Sequence, residues 1–583
     1  MELPHNKKRQ TIGRSVVIGA ILLVTLLVRI DHAAREVAIN PDVVRFIELA
    51  KRLNVEPLRA VRDEVYHPLH AALTLAVHWA VVGRVVDGDA RAWVISTKVV
   101  GIAGAVAVCW IIMRMARRFG APWWAAAGAG LLWAVGRRSS GYGADGLSDM
   151  LCLALFGFSM LAGMSTRLRW RPRAWLGAGA LAGLSYLARP EGVAAVLILA
   201  VSLVLYYGRV HPWRWIHRKS DARQCRSRAR AAFPWSECAK CLAMLALGFA
   251  VIAGGYVGAI GRFTGKKPLF GGPVAGVPTV ASPRASSSSA GLAVLPGFVA
   301  MAPVVPVAGT ISQIHPEGAG APRGTWELVG TEILETFGFA PCLVVGLALP
   351  LRPRLWGRPH WRPLVFVWIG VWLALMVWLI RTSGYLDGRH TLALELALHC
   401  LFALALPLWG KPMQWWQDWW RARPGWASLP AWRRWNGWPG IFSSGALVLG
   451  CLPGAIMLYV PPAEDRGFVR EGAAWLQANA SPNAEVVAEN PLLWFYSGLP
   501  HHREVGEAQM ADLAAAATEY PLILACVFQP GKGEAAPRFA GGYEALQTFV
   551  SAGALHGDTL VLYARRGSGA LRADAATRTA EKK

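Results

Sequence analysis

Residues 93–113 read WVISTKVVGIAGAVAVCWIIM, an apolar run in which Lys98 alone is charged. The hydrocarbon core of a bilayer is about 30 Å thick, and a helix needs about 20 apolar residues to cross it. Backbone amides find no water inside lipid, so such a run must be helical. Arg114, Arg117 and Arg118 follow directly, as is typical of a cytoplasmic helix end. The run predicts a membrane-spanning helix that ends inside the cell.

Blocks of the same kind recur along the chain between short polar loops. An outer-membrane barrel would instead show alternating segments of about ten residues. The basic start and the apolar run Ser15–Val28 lack a small-residue cleavage site and are interpreted as a retained first helix. The further blocks are 69–83, 93–113, 121–136, 147–166, 174–188, 192–207, 241–260, 331–350, 364–381, 391–409 and 440–460. The fold is therefore predicted to be mainly α, a polytopic transmembrane helix bundle of about 11–12 apolar segments.

Composition and charge agree with a membrane protein. Hydrophobic residues make up 54% of the chain and charged residues 16%, whereas soluble domains carry about 25% charged residues. The net charge is +24, and a strongly positive charge is also typical of proteins that bind nucleic acid. However, Arg and Lys lie in clusters between apolar blocks, as positive-inside topology requires. No nucleic-acid motif accompanies them, so we expect the lipid bilayer as a partner and no nucleic acid.

The loops divide the chain into regions. Residues 1–14 are a predicted cytoplasmic N-terminus, and 15–460 are a membrane domain with a first outside loop at 31–68. Successive loops should lie on alternating sides of the membrane. With 31–68 outside and 114–118 inside, the blocks 69–83 and 93–113 cannot both span the membrane. Residues 266–325, rich in Gly, Ala, Pro and Ser, predict a flexible outside loop.

The sequence turns globular after the last apolar block. GFVREGAAWLQANA and YEALQTFVSAG have helical patterns, while NAEVVAEN, PLILACVFQ and DTLVLYARR resemble strands. This alternation predicts a small C-terminal α/β soluble domain at 462–565, on the outside face. Residues 566–583 are predicted to be a disordered tail.

Charged residues gather where the outside loops meet the edges of membrane helices, and ionisable residues at such edges are costly and therefore indicate function. In the first loop, Asp42, Phe46 and Ala50 share one helical face, although NPD is also an ordinary helix start. The motif YHPLH follows, with His67 and His70. Two histidines need a further ligand to hold a metal, so no metal ligand is assigned.

Three later motifs add to this set. In GYGADGLSDM, Asp145 and Asp149 share a face if the helix starts early, whereas Ser148 as N-cap would put Asp149 in the first turn. LARPEG supplies Arg189 and Glu191, and GYLDGRH supplies Tyr385, Asp387, Arg389 and His390. Arginine is the natural partner of a phosphate, and aspartate is a plausible general base for a hydroxyl.

The order of these motifs resembles the GT-C class of integral-membrane glycosyltransferases, the superfamily of protein O-mannosyltransferases and aminoarabinose lipid A transferases. The chain is most similar to bacterial members of the dolichyl-phosphate-mannose-protein mannosyltransferase-like group. It departs from the pattern at Val43, where many members have a second acidic residue, and at His70, where an aromatic is usual. The matching residues are Asp42, Phe46, Ala50, His67, Pro68, Leu69, His70, Asp145, Asp149, Ala188, Arg189, Pro190, Glu191, Gly192, Arg389 and His390.

The resemblance implies an enzyme of the hexosyl- or pentosyltransferase class, in a bacterial cytoplasmic (inner) membrane with its active face outside. It implies a polyprenyl-phosphate-linked sugar donor and a lipid, glycan or protein acceptor. The first-loop aspartate, here Asp42 with Asp31 as the alternative, would deprotonate the acceptor hydroxyl, which attacks with inversion. Arg189 or Arg389 would stabilise the leaving phosphate. Asp145 and Asp149 would orient the acceptor or hold a divalent cation. The implied substrate-binding residues are His67, His70, Arg189, Glu191, Tyr385, Arg389 and His390.

Two other functions compete with this prediction. A transporter or flippase of a lipid-linked or anionic solute would also place charges in a polytopic bundle, but transporters tend to have two related halves, and the sequence shows no repeat. A non-catalytic membrane scaffold would present the C-terminal domain and would leave the first-loop carboxylate exposed and remote from the other motifs.

Overall fold

A computed structural model gives the architecture of the chain. It describes residues 4–36, 39–64, 66–86, 89–164, 172–216, 235–261, 263, 324–348, 362–383, 386–410, 414, 418–419, 422, 438–457, 467–505, 510, 513, 521–528, 539, 542–551, 558–565 and 567–572. Most of the predicted flexible loop 266–325, the end of the predicted tail and Tyr385 lie outside these residues.

The apolar blocks of the sequence fall on helices or helix pairs. The first region contains α1 (Pro4–Arg35), α2 (Pro41–Val55), α3 (Pro57–Asp63), α4 (Pro68–Val77), a π-helical turn (His78–Val82) and α5 (Gly83–Val85). The bundle continues with α6 (Asp89–Phe119), α7 (Trp123–Val135), α8 (Arg137–Ala144), α9 (Asp149–Gly163), α10 (Pro172–Ala188), α11 (Ala194–Ile216) and α12 (Trp235–Ile260). It ends with α13 (Thr325–Phe337), α14 (Phe339–Ala348), α15 (Arg362–Ser383), α16 (Leu392–Trp409) and α17 (Trp438–Met457). Short 3-10 helices, Pro190–Val193 and Gly388–Thr391, precede α11 and α16.

The chain is a multi-pass membrane protein. Within the described residues, five helices are long and apolar enough to span a bilayer, and up to seven if each of two bent helix pairs is one span. These two pairs bend by 109° and 103°. Three shorter apolar helices, Trp123–Val135, Pro190–Leu205 and Ile441–Ile456, accompany them. The predicted block 69–83 falls on α4 and its continuation, which is not among these candidate spans.

Glycines allow α10 and α12 to approach closely. A Cβ at Gly179 would overlap the carbonyl oxygen of Leu245, and one at Gly248 would overlap the carbonyl oxygen of Leu176. Small residues hold membrane helices together in this way because lipid supplies no hydrophobic driving force for association. The close backbone contact also anchors the Arg189 loop, which follows α10 directly.

We expect Gly179→Leu to destabilise the protein by about 1–3 kcal/mol, since overpacking forces the backbones apart. The matched control is Gly177→Leu on the same helix, because a Cβ at Gly177 has no heavy atom within 4 Å. Melting temperatures of the purified proteins in detergent measure both. Equal melting temperatures of the two variants would show that the α10–α12 contact is not tight.

The C-terminal region forms the predicted α/β fold around a sheet of five strands. Its elements are α18 (Gly467–Asn479), β1 (Glu485–Ala488), α19 (Leu492–Ser497), β2 (His502–Glu504), β3 (Leu522–Phe528), β4 (Tyr543–Val550) and β5 (Thr559–Arg565). The strand order is β2-β1-β3-β5-β4. Strands β2, β1 and β3 are parallel, whereas β5 is antiparallel to β3 and β4.

One element of this domain differs from the prediction. YEALQTFVSAG, predicted to be helical, contains β4, an edge strand paired with β5 over its whole length except for an irregularity between Ala545 and Gln547. Pairing with the buried strand β5 outweighs the local helical pattern, because Tyr543, Thr548 and Val550 also suit a strand. The start of the predicted tail is ordered as well, since Leu571 forms a β-bridge with Ala480.

The C-terminal domain and the first loop share one hydrophobic core. Val43, Val44 and Ile47 of α2 are fully buried in the same cluster as Leu493 and Leu562 of the domain. Polar contacts join the two parts at the edges of this core: the Ile39 N–H donates to the Tyr496 hydroxyl at 3.2 Å, and Arg45 pairs with Glu504. The domain therefore supports the helix that carries Asp42 in its first turn.

Candidate active site

Asp42 lies at the start of α2, where the chain fixes it firmly. Asn40 is the N-cap, and its side-chain oxygen accepts the Asp42 N–H at 3.0 Å, while Pro41 occupies the first helical position. The sequence NPD is therefore a helix start, and its third residue supplies the Asp42 carboxylate. An acidic side chain in the first turn is stabilised by the helix dipole.

The Asp42 carboxylate is held by two groups from other parts of the chain. The Tyr66 hydroxyl donates to Oδ1 at 3.1 Å, and Arg389 Nη1 donates to Oδ2 at 3.1 Å. Burial, and then the adjacent Asp42 charge, raise the pKa of the Tyr66 phenol above its usual value, so the hydroxyl stays a proton donor. Phe46 packs against the Tyr66 ring with centroids 5.1 Å apart. Asp42 and Phe46 thus use the common face that their spacing predicts.

Arg389 is held in place by the segment before α16. Asp387 caps the 3-10 helix Gly388–Thr391, accepting the Arg389 N–H at 3.3 Å and giving its own N–H to His390 Nδ1 at 3.2 Å. Its carboxylate also lies 3.0 Å from Arg389 Nε and accepts the Tyr142 hydroxyl of α8 at 3.0 Å. A polar chain therefore runs from Tyr142 through Asp387, Arg389 and Asp42 to Tyr66.

A second, deeper cluster adjoins this chain. Arg189 pairs with Asp149 and lies 3.3 Å from Glu191. The side chains of Arg189 and Asp149 are only 8% and 3% exposed. Arg389 interacts electrostatically with both Asp149 and Arg189, and His390 interacts with Glu191. The LARPEG, GLSDM and GYLDGRH motifs therefore meet at one place, although up to 240 residues separate them along the sequence.

The two histidines of YHPLH are buried. The His70 ring lies 5.0 Å from Phe46, and its Nε2 is 2.9 Å from the Gly146 carbonyl oxygen. Burial lowers the pKa of His70 to about 4, which keeps the imidazole neutral at physiological pH. His67 caps α4 and packs edge-on against the Tyr186 ring at 5.0 Å.

The other predicted aspartates, Asp31 and Asp145, lie at or near the ends of helices. Asp145 ends α8 and Asp149 begins α9 after Ser148, so the two aspartates lie on either side of a 109° bend rather than on one helical face. Gly146, with φ +74°, makes this turn. Asp31 is exposed at the end of α1 and pairs with Arg35 on its own helix. Tyr385 lies outside the described residues.

Two tyrosines contribute to the site although no sequence pattern predicted them. Tyr66 and Tyr142 each donate a hydroxyl hydrogen to a site carboxylate. Both lie inside motifs that the sequence analysis singled out, YHPLH and GYGADGLSDM, where the charged residues alone received attention. The sequence signal that could have identified them is a tyrosine hydroxyl next to charged residues at the edge of a membrane helix. Asp387, noted in GYLDGRH without a role, holds Arg389.

A metal site is not evident in the described part of the chain. Among those residues, no group of three or more His, Cys, Asp or Glu side chains is placed to hold a metal ion. Asp149 Oδ2 is buried and has no hydrogen-bond partner among the described residues. One buried carboxylate oxygen is too few ligands for a hard cation, which prefers six or more oxygens.

Comparisons with known proteins give matches among solved structures alone: no protein-family model matches the chain, and no curated protein sequence matches it. ArnT from Cupriavidus metallidurans in the apo state is similar with a TM-score of 0.52 and 14% identity, over 95% of this chain and 98% of that chain. The oligosaccharyltransferase AglB from Archaeoglobus fulgidus, in complex with an inhibitory peptide and a dolichol-phosphate, gives 0.48 and 12% over 80% of this chain and 58% of that chain. The apo form of the Archaeoglobus fulgidus oligosaccharyltransferase gives 0.49 and 12%, over 85% and 65%.

The likeness to ArnT shows the fold. It extends over nearly the whole of both chains, so it includes the membrane bundle and the C-terminal domain. The predicted architecture, a mainly α polytopic bundle of the GT-C type with a small C-terminal α/β domain, is confirmed.

Proposed function

We propose that this GT-C-fold protein is a membrane glycosyltransferase that moves a sugar from a polyprenyl-phosphate donor to an acceptor hydroxyl, with Asp42 as general base. The observation that carries the proposal is the Asp42–Arg389 contact at 3.1 Å. It brings a carboxylate suited to proton abstraction and a cation suited to phosphate together at the edge of a membrane bundle. The motif order in the sequence supports the same function.

The reaction is a single displacement. The acceptor hydroxyl gives its proton to the Asp42 carboxylate as its oxygen forms a bond to the anomeric carbon. The bond from that carbon to the phosphate oxygen breaks, and its electron pair leaves with the polyprenyl phosphate. A cation that faces the developing negative charge lowers the barrier because it is already oriented in a site with little water. Attack from the face opposite the phosphate inverts the anomeric configuration.

The deeper cluster has a supporting role in this scheme. Arg189 is neutralised by Asp149 and Glu191, so we assign it to shaping the phosphate site rather than to charge neutralisation alone. Asp149, which pairs with Arg189, is proposed to help orient the acceptor, as the family resemblance implies. Asp145, at the far side of the bend, is proposed to help orient the acceptor. His390 and Glu191 would line the sugar side.

The proposed location follows from the same scheme. Arg-rich loops mark the cytoplasmic side, and the site motifs and the C-terminal domain lie on the opposite side by alternation. We therefore place the protein in a bacterial cytoplasmic membrane with its active face outside. The donor enters from the lipid phase, and the acceptor, whether lipid, glycan or protein, meets it at that face.

The scaffold alternative is less favoured by the geometry. It requires a first-loop carboxylate that is exposed and remote from the other motifs. Asp42 is 30% exposed and contacts Arg389. An experiment distinguishes a transporter from a transferase, because a transporter releases its substrate chemically unchanged.

The test uses the purified protein in detergent micelles, where no compartments exist. A transferase releases polyprenyl phosphate from a labelled polyprenyl-phosphate sugar when an acceptor mixture is present. A flippase leaves the donor intact in micelles and moves it between leaflets only in vesicles. Intact donor in micelles together with leaflet exchange in vesicles would overturn the proposal in favour of transport.

A further inference from the structure

Arg389 has two carboxylate partners that differ in kind. Asp387 is its neighbour along the chain: Oδ1 accepts the Arg389 backbone N–H, and Oδ2 lies 3.0 Å from Nε as an ion pair without a hydrogen bond. Asp42 comes from a helix 347 residues away and takes Nη1. The first contact positions the arginine, while the second joins it to the proposed base.

The exposure of these groups shows which cation an incoming phosphate can reach. The Arg389 side chain is 18% exposed and the Asp42 side chain 30%. Arg189 is 8% exposed, and its partner Asp149 is 3% exposed. Separating Arg189 from Asp149 would leave a buried charge unpaired, which is strongly unfavourable. Separating Arg389 from Asp42 leaves both groups in contact with water or substrate. An incoming phosphate can therefore displace the carboxylate from Arg389 more easily than from Arg189.

The contact with Arg389 also limits the base. Asp42 Oδ1 accepts from Tyr66, and Oδ2 accepts from Arg389. A charge-assisted hydrogen bond from a nearby cation stabilises a carboxylate as the anion and so lowers its affinity for a proton. The substrate-free arrangement therefore holds Asp42 in place but makes it a weaker base.

We propose that Arg389 is a shared counter-ion, bound by Asp42 in the free protein and by the donor phosphate in the complex. The phosphate replaces Asp42 on Nη1, and Asp42 Oδ2 then becomes available to the acceptor hydroxyl. Asp387 keeps its contacts with Arg389 throughout and so holds the guanidinium in reach of both anions. The inference rests on the proposed function and adds that the donor binds before the base becomes active.

The exchange predicts an unusual property of Asp42→Asn. Because Asp42 competes with phosphate for Arg389, its neutral amide should let decaprenyl phosphate bind about three- to tenfold more tightly, even as transfer is lost. The measurement is a titration of the purified full-length protein in detergent with decaprenyl phosphate. Decaprenol, which lacks the phosphate, is the matched ligand and should bind the two proteins equally.

A double-variant cycle separates exchange on Arg389 from simple charge repulsion between Asp42 and the phosphate. If the two anions compete for Arg389, the gain in Asp42→Asn should vanish in the Arg389→Gln background. Repulsion alone would preserve the gain there. Asp63 is a carboxylate of the same loop whose side chain is 54% exposed. Its variant Asp63→Asn controls for the loss of a negative charge in general and should bind decaprenyl phosphate as the wild type does.

The outcomes are distinct. Tighter binding by Asp42→Asn that depends on Arg389 supports the exchange. Unchanged or weaker binding by Asp42→Asn, or a gain that persists without Arg389, overturns it while the proposed transferase activity stands. If the wild type binds decaprenyl phosphate no better than decaprenol, the proposed phosphate site itself fails. Monodisperse elution of each variant shows that it is folded.

Discussion

Replacement of Asp42 by asparagine is expected to lower the rate of sugar transfer by about 10²–10⁴-fold. The amide has nearly the same shape and can still accept the Tyr66 hydroxyl, so α2 and its N-cap remain in place. What it lacks is the ability to take the acceptor's proton. The loss should appear in kcat, measured as polyprenyl phosphate released per minute at saturating donor and acceptor.

The control for this prediction is Asp63→Asn, which makes the same chemical change in the same loop at an exposed carboxylate paired with Arg52. Its rate should match that of the wild type. If Asp42→Asn retained the wild-type rate, the base would have to be sought elsewhere, first at Asp149 and then at Asp31. Asp31 is the weaker candidate because it is exposed and contacts only Arg35 among the ion pairs of the described residues.

Loss of the Arg189 charge is expected to have the largest effect on stability. In Arg189→Met, the carboxylate of Asp149 stays buried without its cation, and Glu191 loses its partner. Breaking one side of a buried ion pair destabilises proteins by about 3–5 kcal/mol. The melting temperature of the purified protein in detergent should fall accordingly, and the Asp149→Asn change in the same protein should restore part of it.

The matched comparison is Arg35→Met, which breaks an ion pair whose side chains are 46% and 56% exposed. Exposed pairs contribute about 0–1 kcal/mol, so this variant should melt close to the wild type. Equal melting temperatures of Arg189→Met and Arg35→Met would mean that water reaches the Arg189 cluster, and its assignment as a rigid support of the site would fail.

The sequence predicted the bundle because lipid imposes a simple rule. A backbone in hydrocarbon must be helical, and the length of an apolar block fixes where a helix lies. The same rule does not apply in the C-terminal domain, where YEALQTFVSAG suits both a helix and a strand. Its state is decided by pairing with β5, which is a contact between distant residues. This is why the prediction was wrong there.

The site was predictable in part. Asp42 and Phe46 lie on one face because helical spacing alone puts them there. The sequence left open whether Arg189 or Arg389 stabilises the leaving phosphate, and it predicted no ion pair of Asp42, since no local pattern tells which of two outside loops approaches α2. The contact with Arg389 depends on how α2 and the 3-10 helix before α16 pack, and Arg189 is taken by Asp149 instead.

The placement of Asp145 and Asp149 shows a local limit of the same kind. Their spacing of four residues suggests a shared helical face. Gly146, at φ +74°, breaks the helix between them, and a Cβ there would lie 2.8 Å from Thr97 Oγ1 of α6. The glycine is thus required both by the turn and by the neighbouring helix. The sequence GADGLSD contains this turn, but the alternative that begins the helix after Ser148 could be chosen only with the structure.

We propose that sugar transfer is a direct displacement at the anomeric carbon by a hydroxyl that Asp42 activates. The most direct measurement is the anomeric configuration of the glycosylated acceptor, determined by NMR after reaction of the purified protein with a polyprenyl-phosphate sugar of known configuration. We predict one sugar added per acceptor hydroxyl, with the configuration inverted. A product of retained configuration would contradict the direct displacement, and a donor recovered intact with every acceptor would contradict the transferase itself.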